Sequence, residues 1–465
     1  MKSKIILNQF IGLGILLIIL TFNSCRKDNN TDPNDPSLLT RSFSSDVPLS
    51  WYNLMLDIDR YSSGYRPPAA SRMMGYIGWT GYEAVVNGMP EHQSLGQHYK
   101  GLSLPAINKD QAYYWPVALN AAYAQSFKLF YPQVSDEYTN KIKALEEKNY
   151  GKLKALADPA TIERSVRFGK EVADAVFQYS ASDPYGHEAF KNPFPSTYVP
   201  PKIGSAGEKL WQPTLPDFTP ALFPYWGKVR TFALNAAEIR ARQPIPYSKD
   251  PGSKFYQQAN ETRIVVNNLS FEDRWISEFW SDDFFELTFE PAGRQVAIAN
   301  QMVERDKITM DKAVELYAKL GMAMADAAIA IWNSKYIYNV LRPIEYIRDV
   351  MDPNWVTALN NPTSGMRSIT PPFPSYPSGH SGFGGSGAVI LTDIFGANRS
   401  FVDNCHINRY EFIGAPRSYP SFIDAGVENA YSRLTLGVHY RMDCDEGLRL
   451  GYLAAHRVLE LPWLK

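Results

Sequence analysis

The sequence predicts a mainly α fold. Apolar residues recur at helical spacing in one segment after another, beginning with Trp51, Leu54, Met55 and Ile58 at i, i+3, i+4 and i+7. Sustained alternation with a period of two, the mark of half-buried strands, is absent, and no internal repeat is found. With 45% apolar and 20% charged residues over 465 positions, the composition is that of a folded protein able to bury one large core or two smaller ones. A net charge of −1 gives no electrostatic case for nucleic acid or an acidic membrane surface as partner.

Along the chain, Lys2 and Lys4 precede an apolar run from Ile5 to Leu20, and Phe22-Asn23-Ser24-Cys25 follows. This resembles the lipobox of bacterial lipoproteins. Residues 1–24 are therefore expected to be a signal peptide and Cys25 the lipidated mature N-terminus. A plain secretory signal with a chance cysteine is the alternative. The expected location is the bacterial cell envelope, with membrane contact through the lipid anchor only. Residues 25–46, rich in Asn, Asp, Ser and Pro, read as a polar tether, and residues 47–465 as the folded body.

Helices are expected over 71–86, over 115–131 (Val117, Ala118, Ala121, Ala122, Phe127) and, as a charged surface helix, over 136–157. Another spans 162–180. Residues 184–224 lose helical period and carry Pro, Gly, Tyr and Trp, as expected of a loop wrapped over a pocket. Helices resume near Pro251 and run through 267–285 and 292–304, and 308–332, which contains Asp326, holds two more or one long one. Cys405 and Cys444 are left either to pair or to stand as separate thiols.

Three blocks hold the polar residues that carry chemistry. In the first, Lys335 and Arg342 lie seven apart and would share one face if the segment is helical, with Pro343 ending or bending the helix. The second, Pro371-Pro372-Phe373-Pro374-Ser375-Tyr376-Pro377-Ser378-Gly379-His380, is a proline-stiffened approach to a polar turn. There Gly379 is expected to permit a tight turn and Ser381 onward to form a buried helix. Its N-terminus would offer backbone N–H groups to a tetrahedral oxyanion. The third is Ser432-Arg433 through His439 to Asp443, with a helix expected to start near Asp443. Together they supply three permanent cations (Lys335, Arg342, Arg433) and two histidines. Such a charge set calls for a multiply charged anion of phosphate type.

Lys-x6-Arg-Pro, Pro-Ser-Gly-His and Ser-Arg-x5-His-x3-Asp, in this order, resemble the signature of the type 2 phosphatidic acid phosphatases and vanadium-dependent haloperoxidases. Trp332, the Pro-Pro-Phe-Pro-x-Tyr-Pro approach and Glu278-Phe279-Trp280-Ser281-Asp282-Asp283 are similar to the haloperoxidase branch. The likeness covers about residues 275–460 and implies two packed helical bundles. It further implies vanadate as cofactor, with His439 coordinating vanadium, and hydrogen peroxide and halide as substrates. Lys335, Arg342, Arg433, Ser378 and the Gly379 amide would hold the equatorial oxygens, and His380 would help deprotonate bound peroxide. Lys335 would also withdraw charge from that peroxide. Asp443 would orient His439. Asp283, or otherwise Asp282, would pair with one of the cations, and Trp332 and Phe373 would line the site. Related enzymes carry Phe or a second His at the Phe373 position.

Phosphate and vanadate are near-isosteres, so an exported acid phosphatase is the second reading. There His439 attacks phosphorus, His380 protonates the leaving group, and the substrate is a phosphate ester. A glycan-binding surface lipoprotein would explain the leader and the aromatic content, but not the three cationic blocks. The sequence leaves the organic acceptor, the halide and the oligomeric state open. His406 and His456 fall outside the blocks and read as structural.

Overall fold

The structure, a computed structural model, describes residues 35–282 and 284–465. The leader, Cys25 and Asp283 lie outside the described residues. Residues 35–46, expected as the end of a free tether, instead lie on the body. Thr40 is buried, its Oγ1 donating to Gly88 O (2.9 Å), and Ser44 forms an isolated bridge with Thr309. Apolar side chains within the polar stretch explain this, since Phe43 packs against both the core and Tyr114.

The N-terminal bundle comprises α1 (Asp46–Asp59), α2 (Pro67–Val85), α3 (Trp115–Phe130), α4 (Asp136–Leu153) and α5 (Pro159–Ala181). Its helices start where the sequence provides start signals. Proline opens α2 and α5, where a missing N–H costs nothing, and Asp158 caps α5 by accepting from Thr161 N (2.9 Å). After a long stretch without α-helix come α6 (Lys254–Asn267), α7 (Phe271–Phe279), α8 (Pro291–Asp306), α9 (Met310–Tyr338) and α10 (Pro343–Val350). The C-terminal part adds α11 (Gly379–Phe395), a short antiparallel pair β1 (Phe401–Asp403) and β2 (Arg417–Tyr419), then α12 (Phe422–Thr435) and α13 (Arg441–Leu459).

The expected mainly α fold of two packed bundles is what forms. The spine is α9, a single helix packed against α2 on one side and α11 and α13 on the other. Most of its side chains from Met310 to Lys335 are buried, which explains why its sequence lacks a strong polar face. One core runs through both bundles. No helix among the described residues is long and apolar enough to cross a membrane. Cys405 and Cys444 stand as separate thiols.

Helices resume with α6 at Lys254, close to the expected Pro251, which leaves the stretch between α5 and α6 without α-helix. Asp326, in the middle of α9, pins this stretch. Its buried carboxylate accepts the backbone N–H groups of Phe232 (2.7 Å), Ala233 (2.7 Å) and Leu234 (2.8 Å). Burial pushes its pKa up to about 6 against those three bonds, so it is charged at neutral pH. Asp326→Ala should therefore leave three backbone donors without their acceptor and destabilise the fold by about 2–4 kcal/mol. Urea unfolding measures this, and limited proteolysis should show earlier cleavage between residues 182 and 253. Unchanged stability would contradict the pinning role.

Candidate active site

The proline-rich approach works through its carbonyl oxygens. Proline has no N–H to turn inward and stiffens the bent stretch 371–377. Lys335, in the last turn of α9, donates from Nζ to Pro374 O (2.8 Å) and Ser375 O (3.0 Å). Arg342 donates from Nε to Phe373 O (2.8 Å), from Nη1 to Val438 O (2.8 Å) and from Nη2 to Pro371 O (3.3 Å). The Phe373 ring faces both cations, at 4.8 Å from Lys335 Nζ and 4.9 Å from Arg342 Cζ. Lys335, Arg342 and Arg433 are all fully buried.

Lys335 and Arg342 do meet, but not on one helical face. Helix α9 stops at Tyr338 because Asn339 turns left-handed (φ 47°), its N–H returning to Lys335 O. Arg342 precedes Pro343 as the N-cap of α10, and Glu345 fixes it there by accepting its backbone N–H (2.8 Å). The Arg-Pro-Ile-Glu spacing is a helix-start signal that sequence reasoning passed over.

His439 follows α12 through a turn at Gly437, where φ is +75° and a Cβ would meet Val266 and Trp355 within 3 Å. Asp443, in the first turn of α13, holds the imidazole. Its Oδ2 takes His439 Nδ1 (3.0 Å), Tyr440 N (3.0 Å) and Ser375 Oγ (2.5 Å). With Nδ1–H given to a carboxylate, the lone pair sits on Nε2, which faces Arg342 Nη1 at 3.1 Å. Ser375, treated in the sequence as a spacer between prolines, thus joins the approach to the histidine's carboxylate. Ser378 N donates to Asp443 O (2.9 Å), tying the cap of α11 to the start of α13.

The expected buried helix forms as α11 but begins two residues earlier, at Gly379, capped by Ser378, whose Oγ accepts from Ser381 N (3.3 Å) and Ser381 Oγ (2.8 Å). Its own hydroxyl hydrogen is left to donate. Gly379 makes no tight turn. It lies in the first helical turn without positive φ, and an added Cβ would rest against Trp332 at 3.4 Å. Above this floor opens a cavity of about 490 Å³, reached by Gly379, His380, Arg433, His439, Trp332 and Phe373. The irregular stretch between α5 and α6 supplies part of its wall, including Phe194 and Leu222, as the pocket-wrapping reading expected.

Burial pushes the Lys335 pKa well down, and the neighbouring Arg342 and Arg433 add to the effect while Asp443 opposes it. Burial and the same cations hold His439 neutral, its pKa far below the ordinary range. The interior is thus strained by like charge in a way that an anion relieves. Asp282 takes Arg294 through both oxygens (2.9 and 3.0 Å), with Phe279 and Trp280 against the guanidinium. His406 packs into the same buried cluster, consistent with a structural role. Asp283, also proposed beside the cations, lies outside the described residues.

The donor set fits a four-oxygen anion, with a neutral imidazole lone pair, buried guanidinium and ammonium groups, a serine hydroxyl and a helix N-terminus. Asp443→Asn removes the carboxylate that sets the imidazole and should weaken orthovanadate binding about 10–100-fold without unfolding the protein. Calorimetric titration measures it, and an unchanged affinity would contradict the assigned role.

Residues 315–461 match the family described as the VCPO second helical-bundle domain. Vanadium chloroperoxidase of Curvularia inaequalis is 26% identical over 285 residues, 47% of this chain and 46% of that protein. Vanadium-dependent bromoperoxidase of Ascophyllum nodosum is 28% identical over 141 residues, 27% of this chain and 25% of that protein. The matched stretches thus span less than half of either curated relative. Among solved structures, the first bacterial vanadium-dependent iodoperoxidase aligns with a TM-score of 0.78 at 26% identity, covering 91% of this chain and 97% of that one. A holo-type bacterial vanadium-dependent chloroperoxidase shares the fold, with a TM-score of 0.63 at 16% identity over 86% of this chain and 92% of that one. With the oxyanion pocket assembled by the same C-terminal bundle, these likenesses support the resemblance to the vanadium-dependent haloperoxidase branch of the type 2 phosphatidic acid phosphatase/haloperoxidase superfamily.

Proposed function

We propose that the protein uses bound vanadate to oxidise halide with hydrogen peroxide. Peroxide and halide with one proton yield hypohalous acid and water. The observation that carries this reading is the His439–Asp443 pair, which keeps a neutral Nε2 lone pair inside a cationic pocket that opens onto His380. Vanadate, when bound, supplies Lewis acidity towards peroxide without changing its own oxidation state. His439 Nε2 would hold the metal. Arg342, Lys335 and Arg433 would turn N–H groups to its oxygens, joined by Ser378 Oγ and the Gly379 amide. His380, on the cavity floor, would take the proton from incoming peroxide. Lys335, whose charge burial and the neighbouring cations disfavour, would recover its ammonium form beside a bound anion and supply positive charge there.

The same lone pair would serve an acid phosphatase, with His439 attacking phosphorus and His380 protonating the leaving group. What favours the peroxidase is a likeness to a vanadium-dependent iodoperoxidase along almost the whole of both chains. We further propose export and lipid anchoring at Cys25, supported by the basic start, the apolar run and the Ser-Cys step.

Protein incubated with orthovanadate, peroxide and iodide should form triiodide, and His439→Ala should lose at least about 100-fold of that rate. Vanadate-inhibited release of p-nitrophenol from its phosphate ester, without triiodide, would support the phosphatase instead. Acid should loosen the cofactor. Burial raises the Asp443 pKa to about 6, so its carboxylate is the form lost as pH falls through that value. Protonated Asp443 no longer holds Nδ1–H in the same way, and vanadate release should quicken below about pH 6. Asp443→Asn should show a flat profile across that range, and a wild-type profile that is equally flat would contradict the assignment.

A further inference from the structure

We propose that the cavity above the oxyanion pocket is a binding site for a neutral aromatic acceptor, halogenated there rather than by oxidised halide released to solvent. The inference rests on the functional reading above and names the substrate class that it leaves open. Its starting point is volume. Peroxide and halide each displace roughly one or two waters' worth of space, about 30–60 Å³. The cavity holds about 490 Å³, which falls in the range of organic-ligand pockets.

The walls are zoned. The floor carries His380, His439 and Arg433. Above it stand aromatic and aliphatic groups, among them Trp332, Phe373, Phe383, Phe285, Leu222 and Leu359. The Trp332 and Phe373 rings lie 5.0 Å apart at 52°, and ring faces and edges of this kind suit a flat aromatic guest. Most of the charged groups in the lining are matched locally: Arg66 meets Glu290 at 2.8 Å, Asp282 is held by the buried Arg294, and Lys191 meets Glu188 at 2.5 Å, while Asp217 accepts from Thr219. An ionic acceptor finds few unbalanced partners among them, whereas a neutral ring finds apolar surface.

Backbone conformation supports a built wall. Phe218, Phe223, Glu286 and Ser368 are non-glycine residues with φ between 50° and 66°. Each sits directly beside a lining residue: Asp217 and Thr219, Leu222, Phe285 and Ile369 respectively. Left-handed backbone at such residues persists only where the surroundings hold it, and it gathers at functional loops. Here it recurs in the separate loops that close around this one cavity.

In the reaction, the acceptor's ring carbon forms a bond to halogen while the oxygen–halogen bond of hypohalous acid breaks. The ring proton leaves with the hydroxide as water. A phenol-type ring, electron-rich and uncharged at neutral pH, fits both this chemistry and the wall.

The test uses the full protein without vanadate and 2-naphthol as the probe. Calorimetry should show saturable one-to-one binding. Leu222→Trp, which fills the cavity, and Phe285→Ala, which strips an exposed wall ring, should each weaken it at least tenfold, with folding verified by circular dichroism. In the vanadate-loaded protein with peroxide and iodide, 2-naphthol should compete against a polymer-linked phenol too large to enter. Its share of iodinated product should exceed by at least tenfold the share given by reagent hypoiodite. Absence of saturable binding, binding untouched by both variants, or a product ratio equal to the reagent's would overturn the acceptor site. Naphthol binding without any halide oxidation would overturn the functional reading and leave the aromatic site standing.

Discussion

Asp443 takes hydrogen bonds from the imidazole of His439, the hydroxyl of Ser375 and the amide of Tyr440, all in a dry interior. Those three partners come from two stretches far apart in the chain, and the site exists only while they remain joined. The carboxylate sets which imidazole nitrogen bears the proton. It also offsets part of the repulsion among Lys335, Arg342 and Arg433, which burial makes costly. The carbonyl oxygens of the proline-rich approach supply further restraint, since Lys335 and Arg342 are bonded to backbone that cannot easily move.

This arrangement explains why the fold needs α9 as a shared spine. Lys335 stands at the end of a helix whose body is buried between two bundles, so its ammonium cannot retreat to solvent. Arg342 caps the next helix, Ser378 caps α11, and Asp443 lies in the first turn of α13. Residues at three helix starts thus converge, with carboxylates already answering the starts of α10 and α13. The N-terminus of α11, at the cavity lining, adds its dipole to the charge of the side chains, and an oxyanion gains from both.

Much of this was legible in the order of the three blocks, because each is local and each residue type has one strong chemical preference. A buried helix with an anion-ready N-terminus after the Ser-Gly-His turn followed from local rules, whereas the pairing of Asp443 with His439 came from the family resemblance. What stayed hidden was decided by geometry between distant segments. A helix shared by Lys335 and Arg342 was a reasonable reading of a seven-residue spacing, yet one left-handed asparagine ended it. Asp282 was drawn to Arg294, a partner set by the packing of α8 that periodicity cannot foresee. Ser375 looked like a spacer because its meaning depends on where α13 begins. The cavity wall between α5 and α6 had no period to read, since its shape is imposed by contacts such as those of Asp326.

The claim at the centre of this account is that His439, Lys335, Arg342, Arg433 and the cap of α11 close around one tetrahedral anion. Crystallography of the protein soaked with orthovanadate tests it most directly. The account predicts density for a vanadium centre at coordination distance from His439 Nε2, with Arg342 Nη1 turned from that nitrogen to an equatorial oxygen. Density elsewhere, or an empty pocket at saturating vanadate with Arg342 still on His439, would contradict it.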